Sequence, residues 1–209
     1  MGNIYIVNNS NLASDAVASM VAAVQAQLDG DFQTHWGATA QLVTDPPAPG
    51  SVVCAIEQTS DSPGALGYHS IDADGIPFAR IFVDDSVAAG VEPSSVLSHE
   101  ILELMADRYV DAYGVFDNGD GTGVLYAFED CDPVENDIIV DANGVSLSNC
   151  VTPAWFDQHN QLGPWDFAGN LKGPFTMTSG GYVSTRPIQF SAAWAQQFAD
   201  SSKTRSLFG

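Results

Sequence analysis

The sequence predicts an α/β protein of the α+β class, with a mixed sheet, two main helices and an irregular, aromatic-rich C-terminal lobe. Short β-branched runs alternate with two segments of helical periodicity in the first half of the chain. From Cys150 onward, aromatic residues alternate with Gly and Pro without a regular period. The length of 209 residues fits one domain. We therefore expect a single domain over residues 1–209, with a core over about 1–150 and the lobe over about 151–209.

The predicted core begins with a strand, a helix and three further strands. Residues 4–7 form a β-branched run that ends at a turn rich in Asn. From Ser14 onward, apolar residues recur at the spacing of one helical face, and Gly30 is the expected end of this helix. Three later apolar runs are predicted as strands: residues 41–43, 51–56 and 78–83. The polar segment 58–75 is predicted to be a loop.

The later part of the chain begins with a second predicted helix, over about residues 93–110, for which Pro93 suits the first turn. A turn over residues 117–123 and a short strand over 125–128 follow this helix. The strand leads into an acidic stretch, residues 129–135. A helix that docks on the core is predicted from three aromatic residues at i, i+4 and i+8: Phe190, Trp194 and Phe198.

The charge balance excludes two classes of partner. The chain has 6 Lys and Arg against 26 Asp and Glu, which gives a formal net charge of −20. This sign is wrong for neutralising phosphates or docking on anionic lipid, so we expect neither nucleic acid nor a membrane as partner. The sequence shows no signal-peptide pattern and no apolar run long enough to span a bilayer, which predicts a cytoplasmic protein or a virion component.

The spacing of the cysteines and the absence of three glycine-containing motifs exclude several other classes of site. Cys54, Cys131 and Cys150 are widely spaced and lack C-x-x-C pairing, so we expect buried thiols rather than a disulfide framework or a zinc knuckle. The sequence contains no G-x-S-x-G, Walker loop or G-x-G-x-x-G. These absences exclude serine hydrolase, P-loop and Rossmann functions.

Four ionisable residues share one arc of the second predicted helix. At about 100° per residue, His99, Glu100, Glu103 and Asp107 fall within one arc of the helix. Like charges at i+3 and i+4 cost roughly 0.2–0.5 kcal/mol per pair when exposed, and more when water is excluded. The nearby cation, Arg108, lies outside this arc. A bound metal ion therefore explains the cluster better than an ion pair does.

The spacing of His99 and Glu103 supports metal binding. Residues i and i+4 on one helical face both reach a single ion, and a Glu at i+1 is placed to activate a water on that ion. This is the geometry of the H-E-x-x-H zinc helix with Glu103 in place of the second histidine. A solvated acidic face is the alternative, because such faces are common. A second carboxylate cluster is available to supply a further ligand: Glu129, Asp132 and Glu135.

These elements and motifs resemble the zincin metallopeptidases, and more specifically a family of uncharacterised phage and bacterial proteins with zincin-like sequences. The motifs that carry the resemblance occur in order over about residues 50–183: residues 64–69, 81–83, 98–107, 126–129, 131–135, 151–156 and 180–182. The resemblance implies a zincin-like core, in which a mixed sheet precedes the metal-binding helix. It also implies an edge strand above the metal that binds an extended substrate.

The chain departs from the zincin pattern at three positions. Glu103 replaces the second histidine, and Ala106 and Tyr109 occupy the places of the Gly and the third His of the longer metzincin motif. A shell of His and carboxylates favours zinc as the cofactor, with Mn²⁺, Ca²⁺ or Mg²⁺ as alternatives. An additional anionic ligand makes the metal a weaker Lewis acid, so the departures also predict a slow or inactive enzyme as an alternative.

For the remaining metal ligand beside His99 and Glu103, Asp132 is preferred and Glu129 is the next candidate. Asp107 and Glu135 are alternatives that would instead accept hydrogen bonds and orient the His99 ring. All of these are carboxylates, which are common ligands of divalent ions.

In a peptidase, Glu100 takes the proton from the metal-bound water as this water attacks a peptide carbonyl. Tyr68 or His69, on the predicted loop before the strand at 78–83, is a candidate to steady the developing oxyanion. The alternative for these two loop residues is a packed aromatic ring and a surface imidazole.

The sequence thus predicts a zincin-like metal-binding protein that acts as a metal-dependent peptidase on a peptide or protein substrate. The alternative is a phage virion structural protein, such as a capsid, neck or tail component. In that role a catalytically weak or inactive zincin-like scaffold would contact other virion proteins. A third candidate is an effector or inhibitor that binds a basic partner, and it depends on the net charge of −20 alone.

Overall fold

The computed structural model describes residues 2–189, 192–200 and 204–206 and shows a mixed α/β protein with three helices and several sheets. The predicted α+β class is confirmed at this level. The chain forms two compact units, Met1–Val110 with Ile138–Ser148, and Asp111–Asp137 with Asn149–Gly209. The expectation that the whole chain is one domain stays a prediction.

The first unit is built on a five-stranded mixed sheet in the order β2-β1-β3-β5-β4. Its strands are β1 (Asn3–Asn8), β2 (Gln41–Val43), β3 (Val52–Glu57), β4 (Gly67–Ile71) and β5 (Pro77–Phe82). β1 pairs in parallel with β2 and β3, and β3 pairs in parallel with β5. β4 pairs antiparallel with β5 and lies at the edge of the sheet. The four strands predicted for this region are confirmed.

The first helix, α1 (Ser14–Gln27), continues through a π-helical segment, Leu28–Phe32, and a last helical turn, Gln33–Trp36. The predicted end at Gly30 is therefore wrong. The first and last residues of the π-helical segment are fully buried, so the core holds these extra turns in place. The helix ends at Gly37, whose φ of 69° is a left-handed conformation that favours glycine.

Two further helices follow β5: α2 (Val83–Ala89) and α3 (Pro93–Ala106). Val83, predicted as the end of a strand, instead begins α2. The start of α3 at Pro93 is confirmed, but its predicted end at residue 110 is wrong, because Asp107 has left helical geometry with φ −132° and ψ 75°. α3 packs against β4 and β5, and most of its side chains are buried.

β4 lies inside segment 58–75, so the prediction of a loop for that whole segment is wrong. The strand sequence Gly-Tyr-His-Ser-Ile lacks the apolar alternation by which half-buried strands are predicted. The turn between β4 and β5 is closed by Asp72, whose Oδ1 accepts hydrogen bonds from the backbone N–H groups of Asp74 (2.9 Å) and Ile76 (2.8 Å).

A two-stranded hairpin, β8 (Ile138–Val140) and β9 (Ser146–Ser148), completes the first unit. β9 packs against α3. Ser98 Oγ of α3 donates to Gln27 Oε1 of α1 at 2.6 Å, and Gln27 Nε2 donates to the carbonyl oxygen of Ser148 at 2.8 Å. The Ser148 N–H closes the ring by donating to Ser98 Oγ at 3.1 Å. This buried network ties α1, α3 and β9 together.

The second unit contains an antiparallel five-stranded sheet in the order β12-β11-β10-β7-β6. Its strands are β6 (Tyr113–Asp117), β7 (Gly123–Ala127), β10 (Tyr182–Pro187), β11 (Ala195–Phe198) and β12 (Thr204–Ser206). The C-terminal lobe is therefore not irregular throughout, because three of these strands come from it. Two 3₁₀ turns, Asp132–Val134 and Pro153–Phe156, also belong to this unit.

The predicted docking helix near the C-terminus is wrong for the residues that can be compared. Phe198 ends strand β11, and Trp194 immediately precedes that strand. Phe190 lies outside the described residues. The Phe198 ring contacts the Tyr182 ring of β10 in a tilted arrangement, with ring centroids 5.4 Å apart, so cross-strand pairing rather than helical spacing places this ring.

Candidate metal centre

Helix α3 carries three of the predicted site residues, His99, Glu100 and Glu103, and it is mostly buried where they lie. Glu100 and Glu103 are 5% and 4% exposed, and the His99 side chain is 15% exposed. A solvated acidic face is therefore excluded for the two glutamates. Burying carboxylates is costly unless they are paired or bind a cation, so their surroundings decide what this cluster does.

His69 of β4 joins this cluster from the neighbouring strand. Side chains alternate across a strand, and His69 pairs with the buried Ala79 on the face toward α3. Its side chain is 4% exposed, and its Nδ1 lies 3.5 Å from Glu103 Oε2. The expectations of a loop position and of a surface imidazole are therefore both wrong for His69.

The Glu103 carboxylate lies between two imidazoles. Its Oε1 is 3.1 Å from His99 Nε2, and its Oε2 is 3.5 Å from His69 Nδ1. Burial acts to raise the pKa of Glu103, but the two neighbouring histidines outweigh burial and hold this pKa well below its usual range. The carboxylate is therefore ionised at neutral pH.

The contacts of Glu103 can be compared with the separations of ligand atoms around a small divalent ion. Metal bonds of about 2.0–2.2 Å in tetrahedral geometry place ligand atoms about 3.3–3.6 Å apart. The observed contacts of 3.1 and 3.5 Å lie close to this range, but they reach different oxygens of the Glu103 carboxylate. His69 and His99 thus each contact Glu103, and these three side chains meet at one place in the first unit.

Glu100 lies next to this group but in a different setting. Its Oε2 is 3.8 Å from His69 Nδ1 and, among the described residues, this buried oxygen has no hydrogen-bond partner. Burial raises the pKa of Glu100, although the two histidines partly oppose this shift. A buried oxygen of this kind is available to a ligand, a water or a transferred proton.

The close approach of Glu100 to β4 depends on Gly67. A Cβ atom at Gly67 would lie 2.6 Å from Glu100 Oε1 and 2.9 Å from the carbonyl oxygen of Arg80. Real Cβ contacts are essentially never this short, so glycine is required here for steric reasons.

Tyr68, the other residue predicted on the substrate side, is not brought to this cluster. Adjacent residues of a strand point to opposite faces, so Tyr68 faces away from the side that holds His69. Its hydroxyl donates to Asp61 Oδ2 at 3.0 Å, and Arg80 forms an ion pair with the same carboxylate. Burial and this hydrogen bond raise the pKa of Tyr68.

Asp107, predicted to orient His99, is buried just beyond the end of α3. Its N–H donates to the carbonyl oxygen of Glu103 at 2.8 Å. Asp107 has left the helical geometry, so it does not share a helical arc with His99 as predicted. Its role as an acceptor for the His99 ring stays a prediction.

The remaining predicted carboxylates belong to the second unit. Glu129 is half-buried after β7, and Asp132 begins a 3₁₀ turn and is 4% exposed. Glu135 is half-buried, and its N–H donates to the carbonyl oxygen of Asp132 at 3.3 Å. Their roles as ligands or acceptors for the His99 cluster stay predictions.

Sequence reasoning missed a second group, which lies in the second unit. Asp130, Cys131 and Cys150 each offer a ligand atom, and these atoms all lie within 4.8 Å of one another. The expectation of buried cysteines is confirmed, and none of the three cysteines forms a disulfide among the described residues. The only signal in the sequence was that Asp130 and Cys131 are adjacent, because Cys150 comes from a distant segment.

Comparison of the chain with protein-family models, with curated proteins and with solved structures finds no match. Within the described residues, no helix is long and apolar enough to cross a membrane.

Proposed function

We propose that this protein is a zincin-like metal-binding protein whose first unit holds a divalent ion, and that it acts as a metal-dependent peptidase. One observation carries the proposal, which is the position of the ionised Glu103 carboxylate between the imidazoles of His69 and His99. Two imidazole nitrogens, which lose their protons when a metal binds, and one carboxylate form a common set of ligands for a catalytic metal.

The architecture of the first unit supports the zincin-like part of this proposal. A mixed sheet precedes helix α3, and the antiparallel edge strand β4 packs against this helix. The helix carries the His-Glu-x-x-Glu motif, and the edge strand carries His69. These relations of sheet, edge strand and helix support the proposal of a zincin-like core.

The donor atoms favour zinc over the alternatives. Imidazole nitrogens suit Zn²⁺ and other transition metals, whereas Ca²⁺ and Mg²⁺ prefer shells made of oxygen atoms. Mn²⁺ is the next candidate because it accepts both donor types. In this proposal His69 supplies the third protein ligand. Asp132 and Glu129 are then candidates for an additional ligand that the metal does not require.

The residues around the ion divide into ligands and a proton acceptor. A divalent ion at this place, when bound, supplies Lewis acidity that polarises a peptide carbonyl and activates water. Glu100 does not need to bind the ion, and burial raises its pKa, which favours a carboxylate that takes up and returns a proton. Glu100 is therefore assigned as the general base.

The test combines metal content with peptide cleavage in the full chain. We expect purified protein to hold zinc, and at least about tenfold weaker zinc affinity in His69→Ala, His99→Ala and Glu103→Gln. Glu100→Gln is expected to keep the metal and to lose cleavage by about 10²-fold or more. His159→Ala, which removes an exposed imidazole of the second unit, is the matched control and should change neither quantity.

Unchanged zinc affinity in both His99→Ala and Glu103→Gln would refute the metal site. Cleavage that persists in Glu100→Gln would refute the catalytic assignment alone.

The virion structural role stays the alternative to the peptidase. Zinc bound by His69, His99 and Glu103 without cleavage of any peptide, together with co-purification with particles, would favour this candidate over the peptidase.

A further inference from the structure

In the second unit, three side chains with metal-binding atoms meet in a fully buried position. Asp130, Cys131 and Cys150 are all 0% exposed, and their ligand atoms lie within 4.8 Å of one another. Cys150 Sγ lies 2.7 Å from Asp130 Oδ2. Burial raises the pKa of the Cys150 thiol, and hydrogen bonding to Cys131 and the nearby Asp130 carboxylate raise it further. A carboxylate and two thiols are thus concentrated where water is excluded.

Backbone hydrogen bonds hold the two chain segments of this group in register. The Val151 N–H donates to the carbonyl oxygen of Asp130 at 2.7 Å, which aligns the segment of Cys150 with that of Cys131. On the far side, the Phe167 N–H donates to the carbonyl oxygen of Cys150 at 2.9 Å. The side chains are therefore positioned by the fold itself, as a preorganised site requires.

A buried amide supports the same segment. Asn149 Oδ1 accepts hydrogen bonds from the N–H groups of Cys150 at 2.9 Å and Ala168 at 3.1 Å. Asn149 Nδ2 donates to Asp166 Oδ2 at 2.7 Å, and Asp166 is itself fully buried. This second layer restricts the backbone that carries Cys150.

We propose that Asp130, Cys131 and Cys150 of the second unit bind a zinc-type divalent ion. Two sulfur donors select Zn²⁺ or a similar thiophilic ion and disfavour Ca²⁺ and Mg²⁺. On binding, each thiol releases its proton to solvent and each sulfur forms one bond to the ion, with no change of oxidation state. The ligands and ion together then carry one net negative charge, as a Cys₃His zinc site does.

The proposal is tested by Co²⁺ binding to reduced, metal-free full-length protein. Thiolate ligands to Co²⁺ give a charge-transfer absorption that nitrogen and oxygen ligands do not give. We expect this absorption in the wild type, weaker absorption in Cys131→Ser and in Cys150→Ser, and none in the double variant. Asp130→Asn, which preserves shape, is expected to keep the absorption and to weaken Co²⁺ affinity at least about tenfold.

Two control variants test whether the absorption comes from Cys131 and Cys150 and not from other side chains of the protein. Cys54→Ser removes the third buried thiol, which lies in β3 of the first unit, and should leave the absorption unchanged. His159→Ala removes an exposed imidazole of the second unit and should also leave the absorption unchanged. Circular dichroism establishes that each variant is folded.

Three results would overturn the proposal. The first is the absence of a thiolate absorption in the folded wild type at saturating Co²⁺. The second is an absorption that survives the Cys131→Ser, Cys150→Ser double variant. The third is a native protein in which Cys131 and Cys150 form a disulfide, which mass spectrometry detects as the loss of two hydrogens that reductant restores.

Discussion

At the scale of single residues, Gly67 governs how close strand β4 approaches helix α3. The strand backbone lies against the Glu100 carboxylate, and no side chain fits between them. A side chain at this position would clash with Glu100, the residue proposed as general base. The clash would displace both Glu100 and strand β4, which carries His69. Stability and the proposed activity should therefore both depend on this position, which itself has no functional group.

We expect Gly67→Ala to destabilise the protein by about 1–3 kcal/mol, because the new methyl group overpacks a buried contact. Peptide cleavage should fall with it, because Glu100 must move. The measurement is urea denaturation followed by circular dichroism, with a cleavage assay on the folded fraction.

Gly30→Ala is the matched control for this substitution. Gly30 is helical, and a Cβ atom there meets nothing within 4 Å. Replacing glycine by alanine in a helix interior stabilises by roughly 0.5–1 kcal/mol, so the two variants should shift the urea midpoint in opposite directions. An unchanged or raised midpoint in Gly67→Ala would show that the contact with Glu100 is not tight.

At the scale of elements, helix α3 is held in place by polar groups as well as by its apolar residues. The buried ring formed by Ser98, Gln27 and Ser148 joins α3 to α1 and β9. Ser98 immediately precedes His99, so this ring also limits how the helix rotates at the candidate metal centre. Removal of one member leaves buried partners without a hydrogen bond, which is costly in a low-dielectric interior.

Ser98→Ala is therefore expected to lower the free energy of unfolding by about 1–3 kcal/mol, since Gln27 Oε1 and the Ser148 N–H both lose their partner. Thermal or urea denaturation measures this change. Ser19→Ala on the exposed face of α1 is the comparison, and it should stay within about 0.5 kcal/mol of the wild type. Equal stability of both variants would show that the buried ring is not a stabilising feature.

At the same scale, the elements differ in how well their sequences predicted them. The strands with β-branched residues and the starts of α1 and α3 followed from local patterns. Strand β4 did not, because pairing with β5, rather than its own apolar residues, makes it a strand. The end of α1 was also missed, since burial of Leu28 and Phe32 outweighs the low helix propensity of Gly30.

At the scale of the whole molecule, the formal net charge of −20 acts on every acidic group at once. Self-repulsion of this size destabilises a folded chain, and salt screens it. The Debye length falls from about 30 Å at 0.01 M salt to about 8 Å at 0.15 M. The folded state should therefore gain stability over this range.

We expect the urea midpoint at pH 7 to rise as NaCl increases over that range. At about pH 4, where many carboxylates are protonated, the same increase in salt should have a smaller effect. The paired titrations distinguish screening of carboxylates from a general salt effect. Equal shifts at both pH values, or no shift at pH 7, would contradict the expectation.

The sequence by itself determined the α+β class, most of the first sheet, and His99, Glu100 and Glu103 as neighbours on one helix, because these features depend on local periodicity. Only the tertiary structure decided that both glutamates are buried and that His69 contacts Glu103. It alone also brought Cys150 to Asp130. Contacts of this kind join segments far apart in the chain, and their formation depends on strand pairing and burial, which no local pattern encodes.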